Sequence, residues 1–336
     1  MYRIRLILAW GTAGCVFCLS GCGGGGTSTI ARSSLVVEPL ALTSGNTWST
    51  GTVRDDGLVY GKQGSTGVAE SDALWPVPGQ IVTIPNIDAR AVYQNLDGVS
   101  ADQETVLGNT IDIHNSGGPG RGFVYARRTG KFQVLQIASS TQMAPYPESI
   151  QSDGTVLGWT QAPDIFGIGG QQFDYNLSTN AYTLTNPNYF PGNPTFPQGA
   201  ANQGNCISPN GRFMGGSSTL NGHGQAAIWD MEYGTYRLVG PKDEGYIVYA
   251  VSNDGTVAAI GPNTIGPPYY LVRGSTLTDL IALCKSKGIG ATWQWLNFIS
   301  LSPSGTYLTF TGENTGGFGN AVRIHILSPQ EQLDKG

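Results

Sequence analysis

The side chains able to do polar chemistry are few. Three histidines, His114, His223 and His325, stand far apart in 336 residues, and five cysteines fall at positions 15, 18, 22, 206 and 284. There is no His-Glu-x-x-His helix signature, no pair of Cys-x-x-Cys motifs, and no phosphate-cradling glycine loop ahead of a helix. No catalytic residue, metal ligand or cofactor site is therefore assigned. The aspartates that recur beside glycine, such as Asp153-Gly154 and Asp254-Gly255, read as turn formers whose carboxylates accept from nearby backbone N–H groups. Calcium ligation is the alternative use of the same oxygens. A net charge of -5, with 18 basic and 23 acidic residues, offers no basic footprint of the kind that polyanion binding requires, so nucleic acid is a poor match as a partner.

The cysteine that carries most meaning is Cys22. Arg3 and Arg5 precede an apolar run over residues 6–19, which has the charged and hydrophobic regions of a secretory signal and is too short for a membrane span, which needs about 20 apolar residues. The run ends in Leu19-Ser20-Gly21-Cys22, and this resembles the lipobox of bacterial lipoproteins. The small residues at 20 and 21 suit a narrow peptidase pocket, and the thiol can carry thioether-linked diacylglycerol. The resemblance implies cleavage before Cys22, acylation of the new amino end, and lasting membrane attachment, because two or more acyl chains hold where one does not. Residues 23–29, Gly-Gly-Gly-Gly-Thr-Ser-Thr, then form a flexible tether reaching roughly 20 Å on random-coil scaling. Gly23 is not the Asp that retains enterobacterial lipoproteins in the inner membrane, so the resemblance favours the outer membrane. The expected organisation is a signal peptide at 1–21, a lipidated cysteine and tether at 22–33, and a folded domain at 34–336. Cys15 and Cys18 leave with the signal. Cys206 and Cys284 remain in a compartment that permits disulfides, and either a bridge or two separate buried thiols fits their number.

Charged residues are about half as frequent as in an ordinary domain while 49 glycines punctuate the chain, which argues for turns and strands over helices. One pattern recurs: an apolar residue, Ser, one or two small polar residues, Gly, and a short β-rich run. Clear copies are Ser152-Asp153-Gly154, Ser208-Pro209-Asn210-Gly211, Ser252-Asn253-Asp254-Gly255 and Ser302-Pro303-Ser304-Gly305. Weaker copies surround Asp56-Gly57 and residues 99–108, where Glu104 is read as replacing the glycine. The six turns lie 44 to 57 residues apart, a propeller-blade period, and each is a tight-hairpin signal between apolar runs. Seventeen to 21 residues past each turn comes a further strand, carrying Trp75, Tyr125, Tyr175 and Trp229 in four units. A second turn and a short fourth strand follow in the first five units. Four strands per unit make a blade. The sixth unit lacks a fourth strand, whereas residues 34–42 form a β-rich segment without a unit. The count thus predicts a six-bladed β-propeller of four-stranded blades closed by the N-terminal strand, which also removes exposed edges. A parallel β-helix is the runner-up, disfavoured because ~50 residues is long for one coil.

These units resemble the extracellular HAF-type repeats of bacteria, with a Ser-x-Asp-Gly hairpin and an Ala-x-x-Trp strand, and more loosely the blades of TolB-type propellers. The resemblance speaks to architecture more than to activity. The chain departs from it at Glu104 and in a long insertion before the fourth unit.

Within that frame His114 and His223 fall in equivalent loops two blades apart, where a metal or acid/base pair is conceivable but solvated loop histidines are the plainer reading. Trp75, Tyr125, Tyr175 and Trp229 recur at one position and are expected to pack between blades. The insertion at 185–203 carries Tyr189, Phe190 and Phe196 among four prolines, which stiffen it into a candidate partner-contact loop. A helix is expected near 278–287, capped by Thr278 and ended by Gly288, burying Leu280, Ile281 and Cys284. The expected protein is a lipid-anchored envelope propeller, periplasmic or surface facing, that binds or scaffolds an unknown protein or glycan and is not an enzyme. A propeller hydrolase or lyase acting on a polysaccharide, and a surface adhesin, are the alternatives.

Overall fold

The computed structural model describes residues 34–334, apart from 66–67, 78, 87–92, 101, 112–120, 138–144, 152, 160–171, 186–201, 211, 219–223, 231, 243–244 and 264–265. Cys22, the signal and tether, His114, His223, Tyr189, Phe190 and Phe196 lie outside the described residues.

The chain opens with β1 (Leu35–Pro39) and then builds four-stranded antiparallel sheets in succession. Sheet I is β2–β5 (Trp48–Val53, Val59–Ser65, Val68–Trp75, Val82–Ile84), and sheet II is β6–β9 (Tyr93–Val99, Thr105–Ile111, Arg121–Ala126, Lys131–Val134). Sheet III is β10–β13 (Tyr146–Ile150, Thr155–Trp159, Gln172–Asn176, Tyr182–Thr185), and sheet IV is β14–β17 (Asn202–Ile207, Phe213–Ser218, Gln225–Asp230, Thr235–Val239). Sheet V is β18–β21 (Tyr246–Val251, Val257–Pro262, Tyr270–Arg273, Thr276–Asp279). Sheet VI is β22–β24 (Trp295–Leu301, Tyr307–Asn314, Gly317–Ile326), and its fourth strand is β1, paired antiparallel with β24 from Leu35↔Ile326 to Pro39↔Val322.

The repeated turn explains the repeated sequence. In sheet V the Ser252 hydroxyl donates to Asp254 Oδ1 at 2.6 Å and accepts from the Val257 amide at 3.0 Å, while Asp254 also accepts from the Thr256 amide. Ser208 and Ser302 accept equivalently from Phe213 and Tyr307, and all three serines are buried. Their hydroxyls satisfy backbone groups that would otherwise be stranded at the hairpin. Gly255 and Gly305 take left-handed backbone (φ 71° and 74°), as a non-glycine residue does only at a cost. Close approach adds a second requirement, since a Cβ on Gly57, Gly255 or Gly305 would meet Tyr307, Phe213 or Val257 of the preceding sheet at 2.9, 2.7 or 2.9 Å. In sheet II the left-handed residue is Gln103 (φ 63°). Gln103, and not Glu104, therefore replaces the glycine: Asp102 accepts from Ser100 and from the Glu104 amide as Asp254 does from Ser252 and Thr256.

The core lies between sheets. Apolar clusters join I with II, II with III, IV with V, V with VI, and VI with I. Trp75 and Tyr175 are buried in these clusters and Tyr125 packs against one, as expected of residues between sheets, whereas Trp229 is buried in a cluster formed within sheet IV by Met214 and Ala227. Trp75 also donates through Nε1 to the Ala41 carbonyl at 2.6 Å, satisfying its polar edge.

Two helices are present among the described residues. Helix α1 (Leu280–Ser286) buries Leu280, Ile281 and Cys284, the expected stripe. Its cap is Asp279, the last residue of β21, which accepts from the Ala282 amide at 2.9 Å; Thr278 lies one residue further back, opposite Leu271. Helix α2 (Pro329–Asp334) was not expected, although Ser328-Pro329-Gln330-Glu331 spells a capping box with proline in the first turn. The Ser328 amide donates to Glu331 Oε2 at 2.8 Å and the Glu331 amide to Ser328 Oγ at 3.2 Å. No helix among the described residues is long and apolar enough to cross a membrane.

Candidate functional site: a cavity between the first strands

The first strands of sheets I, II, IV, V and VI converge on a cavity of about 670 Å³. A second chamber of about 330 Å³ continues it between sheets I, II and VI, sharing Thr52, Tyr60, Leu96, Ile299 and Ser300. Both volumes are in or near the range that binds small molecules.

How side chains come to face this space is a matter of register. In sheets II to VI the pairing of the first with the second strand slips at a bulge: Leu96/Gly98, Pro147/Ser149, Gly204/Cys206, Val248/Ala250 and Asn297/Ser300. An extra residue re-aims the strand at that point. Asp97, Tyr249 and Ile299 from these bulges all line the larger chamber. Each sits three residues ahead of the turn serine of its unit, Ser100, Ser252 or Ser302, an offset visible in the sequence once the turn is known. Sequence reasoning missed this set because the strand alternation that it assumes breaks at a bulge.

The charged groups of the larger chamber are bonded to the frame. Arg54 donates through Nη1 to the Val99 carbonyl at 2.8 Å and to the Ser100 carbonyl, and pairs through Nη2 with Asp56 at 3.0 Å. Asp97 accepts from Asn109 Nδ2 at 2.6 Å through its carboxylate and from Tyr60 through its carbonyl at 3.1 Å. Tyr249 donates to the Pro262 carbonyl at 2.9 Å.

At the hairpin end the turns hold one another. Asn210 donates to Asn253 from its amide and side chain (2.8 and 2.9 Å), and Asn253 donates to the Pro303 carbonyl (2.8 Å). Ser304 donates twice to Asp55 Oδ1 (2.7 and 2.6 Å), and Arg54 reaches Val99. The chain of bonds thus runs through sheets IV, V, VI, I and II.

Cys206 and Cys284 are both free. Cys206 lines the cavity with its thiol 3.6 Å from the Val248 carbonyl, whereas Cys284 lies under α1; of the two readings of their number, the structure shows separate thiols. Burial pushes each up to about 12. His325 stacks on Tyr307, with ring centroids 4.4 Å apart, and its Nε2 lies 3.2 Å from Glu331; it packs at the β24–α2 junction. Among the described residues no group of three or more His, Cys, Asp or Glu side chains could hold a metal.

No protein-family model matches the sequence, and no curated protein matches it. Solved structures do. An oligogalacturonate lyase from Vibrio parahaemolyticus superposes with a TM-score of 0.51 at 12% identity, covering 86% of this chain and 96% of that one. YCF48, solved bound to D1 peptide, gives 0.51 at 11% identity, covering 89% and 97%. TolB from Acinetobacter baumannii gives 0.40 at 15% identity, covering 80% of this chain and 63% of that one, so the chain spans less than two thirds of TolB. At these identities the likeness defines a fold: the chain is an all-β protein of the β-propeller class, built of four-stranded antiparallel sheets.

Proposed function

We propose that this protein is a lipid-anchored envelope β-propeller of six blades, closed by β1, that binds or scaffolds a partner through its cavity and loop face. The observation that carries the reading is a contrast within sheets II, V and VI. The turn serine recurs as Ser100, Ser252 and Ser302, while the cavity-lining position three residues ahead of it is Asp97, Tyr249 and Ile299 in turn. A constant frame with differing inward positions suits recognition of one asymmetric ligand, and rigid frames lower the ordering cost of binding. The bonds on Arg54 and Asp97 support positioning over proton transfer, which needs groups free to exchange protons with substrate.

Anchorage rests on the Leu19-Ser20-Gly21-Cys22 resemblance, and the outer membrane on Gly23. The test is labelled-palmitate incorporation into the full chain and into Cys22→Ala, with protease accessibility on intact and lysed cells. Label on the parent chain and none on the variant is expected; label on both overturns Cys22 as the anchor. Digestion on intact cells places the propeller at the surface, and protection until lysis places it in the periplasm. The aromatic insertion with Tyr189, Phe190 and Phe196 is proposed as a second contact, tested by replacing all three with Ala and measuring partner or surface attachment. Turnover of an envelope polysaccharide by the purified chain would replace the binding reading with the lyase or hydrolase one.

A further inference from the structure

The smaller chamber opens beside a row of aromatic rings. Phe298 lines it and meets Phe318 at 5.5 Å between centroids with the rings tilted by 57°, and Phe318 meets Trp48 at 6.3 Å. Phe298 is 55% exposed and Phe318 42%, so two large apolar rings face water side by side. Phe298 also holds left-handed backbone (φ 50°) within the β22 bulge. Glycine takes that conformation cheaply, and a bulky residue there stores strain that persists where the surroundings impose it, commonly at ligand sites. Burial does not compensate here, because the ring is exposed.

The polar lining of the chamber completes the chemistry. Thr50, Ser300 and Asn95 supply hydroxyl and amide groups that both donate and accept. Lys62, the charged residue of the lining, is paired with Glu70 at 3.3 Å, which leaves the mouth without a net charge to attract an ionic ligand. A pyranose ring matches both halves: its C–H face stacks on an aromatic ring and its hydroxyls donate and accept around the rim.

We propose that this mouth is a binding site for a neutral glycan, with Phe298 and Phe318 as the stacking platform and Thr50, Asn95 and Ser300 as hydroxyl partners. The inference deepens the binding reading and rests on it, but not on the lipid anchor, so the anchorage and glycan experiments fail separately. The test is calorimetric titration of the full chain with cellohexaose, maltohexaose and chitohexaose, alongside hexagalacturonate as the anionic counterpart. At least one neutral probe should bind with Kd on the order of 1 mM or tighter. Phe298→Ala should weaken it by about tenfold or more, and Tyr236→Ala, an exposed aromatic on β17, should not. Phe298→Gly separates platform from structure: it should hold or raise the melting temperature while abolishing binding. No binding by any neutral probe, unchanged binding in Phe298→Gly, or preference for hexagalacturonate would each overturn the proposal.

Discussion

Arg323 and Glu38 lie directly opposite one another between β24 and β1, and the guanidinium holds the carboxylate through Nε at 3.1 Å and Nη2 at 3.0 Å. Its Nη1 also donates to the Gly57 carbonyl of sheet I. One buried side chain, 3% exposed, thus joins the N-terminal strand, the last sheet and the first. Removing one partner of such a pair strands the other charge in low dielectric. Glu38→Ala is expected to lower stability by about 3 kcal/mol, read as a shift in the denaturant midpoint. An unchanged midpoint would mean that β1 is held by its ladder bonds alone.

The turn glycines answer to two constraints, and substitution can separate them. Gly305 has positive φ and a neighbour 2.9 Å from any added Cβ, whereas Gly130 has positive φ (67°) with nothing within 4 Å. Gly130→Ala is expected to cost about 1 kcal/mol for backbone strain, and Gly305→Ala roughly 1 kcal/mol more for overpacking against Val257. Equal melting temperatures for the two variants would show that the sheets yield at the turn.

Burial pushes the carboxyl of Asp72 up to about 6, against opposing contributions from the Gln94 hydrogen bond and from Lys62. Gln94 Nε2 donates to Asp72 Oδ2 at 2.6 Å. Because the folded state binds this proton more tightly than the unfolded chain, it carries more protons between pH about 4 and 6, and stability falls as pH rises through that window. The contribution is on the order of 3 kcal/mol at neutral pH. Asp72→Asn should flatten the dependence of the unfolding midpoint on pH between about 4 and 7; the same slope in the variant would assign it elsewhere.

Thiols raised to about 12 hold almost no thiolate at neutral pH, and thiolate is the reactive form. Cys206 and Cys284 should resist alkylation in the native chain and react after unfolding without reductant. Mass increments for both in denaturant alone would agree with the separate positions seen here, and a requirement for reductant would mean that they are bridged.

The cap of α1 offers a local check. Asp279→Ala removes the acceptor for the Ala282 amide and should cost about 1 kcal/mol, while Thr278→Ala should cost little, since the cap bond is made by Asp279. Reversal of this order would return the cap to Thr278.

By itself the sequence determined the repeating four-stranded unit. A Ser-x-Asp-Gly turn is a local arrangement in which a hydroxyl, a carboxylate and a left-handed glycine satisfy one hairpin, so its chemistry shows in four consecutive residues. Trp75 and Tyr175 were equally legible as core, because recurrence at one position implies one environment. The spare strand at 34–42 followed from counting, and β1 pairs with β24. Tertiary structure decided what no local rule contains. The left-handed residue in sheet II is Gln103 because the Ser100–Asp102 bonds set the turn's phase, not the presence of glycine. Asp97, Tyr249 and Ile299 reach the cavity because a bulge inverts strand alternation. Phe298, Phe318 and Trp48, far apart in sequence, form one row because β22, the end of β23–β24 and the start of β2 meet at the same mouth. Such convergence depends on how sheets pack, and packing is settled by long-range burial that nearest-neighbour patterns do not encode.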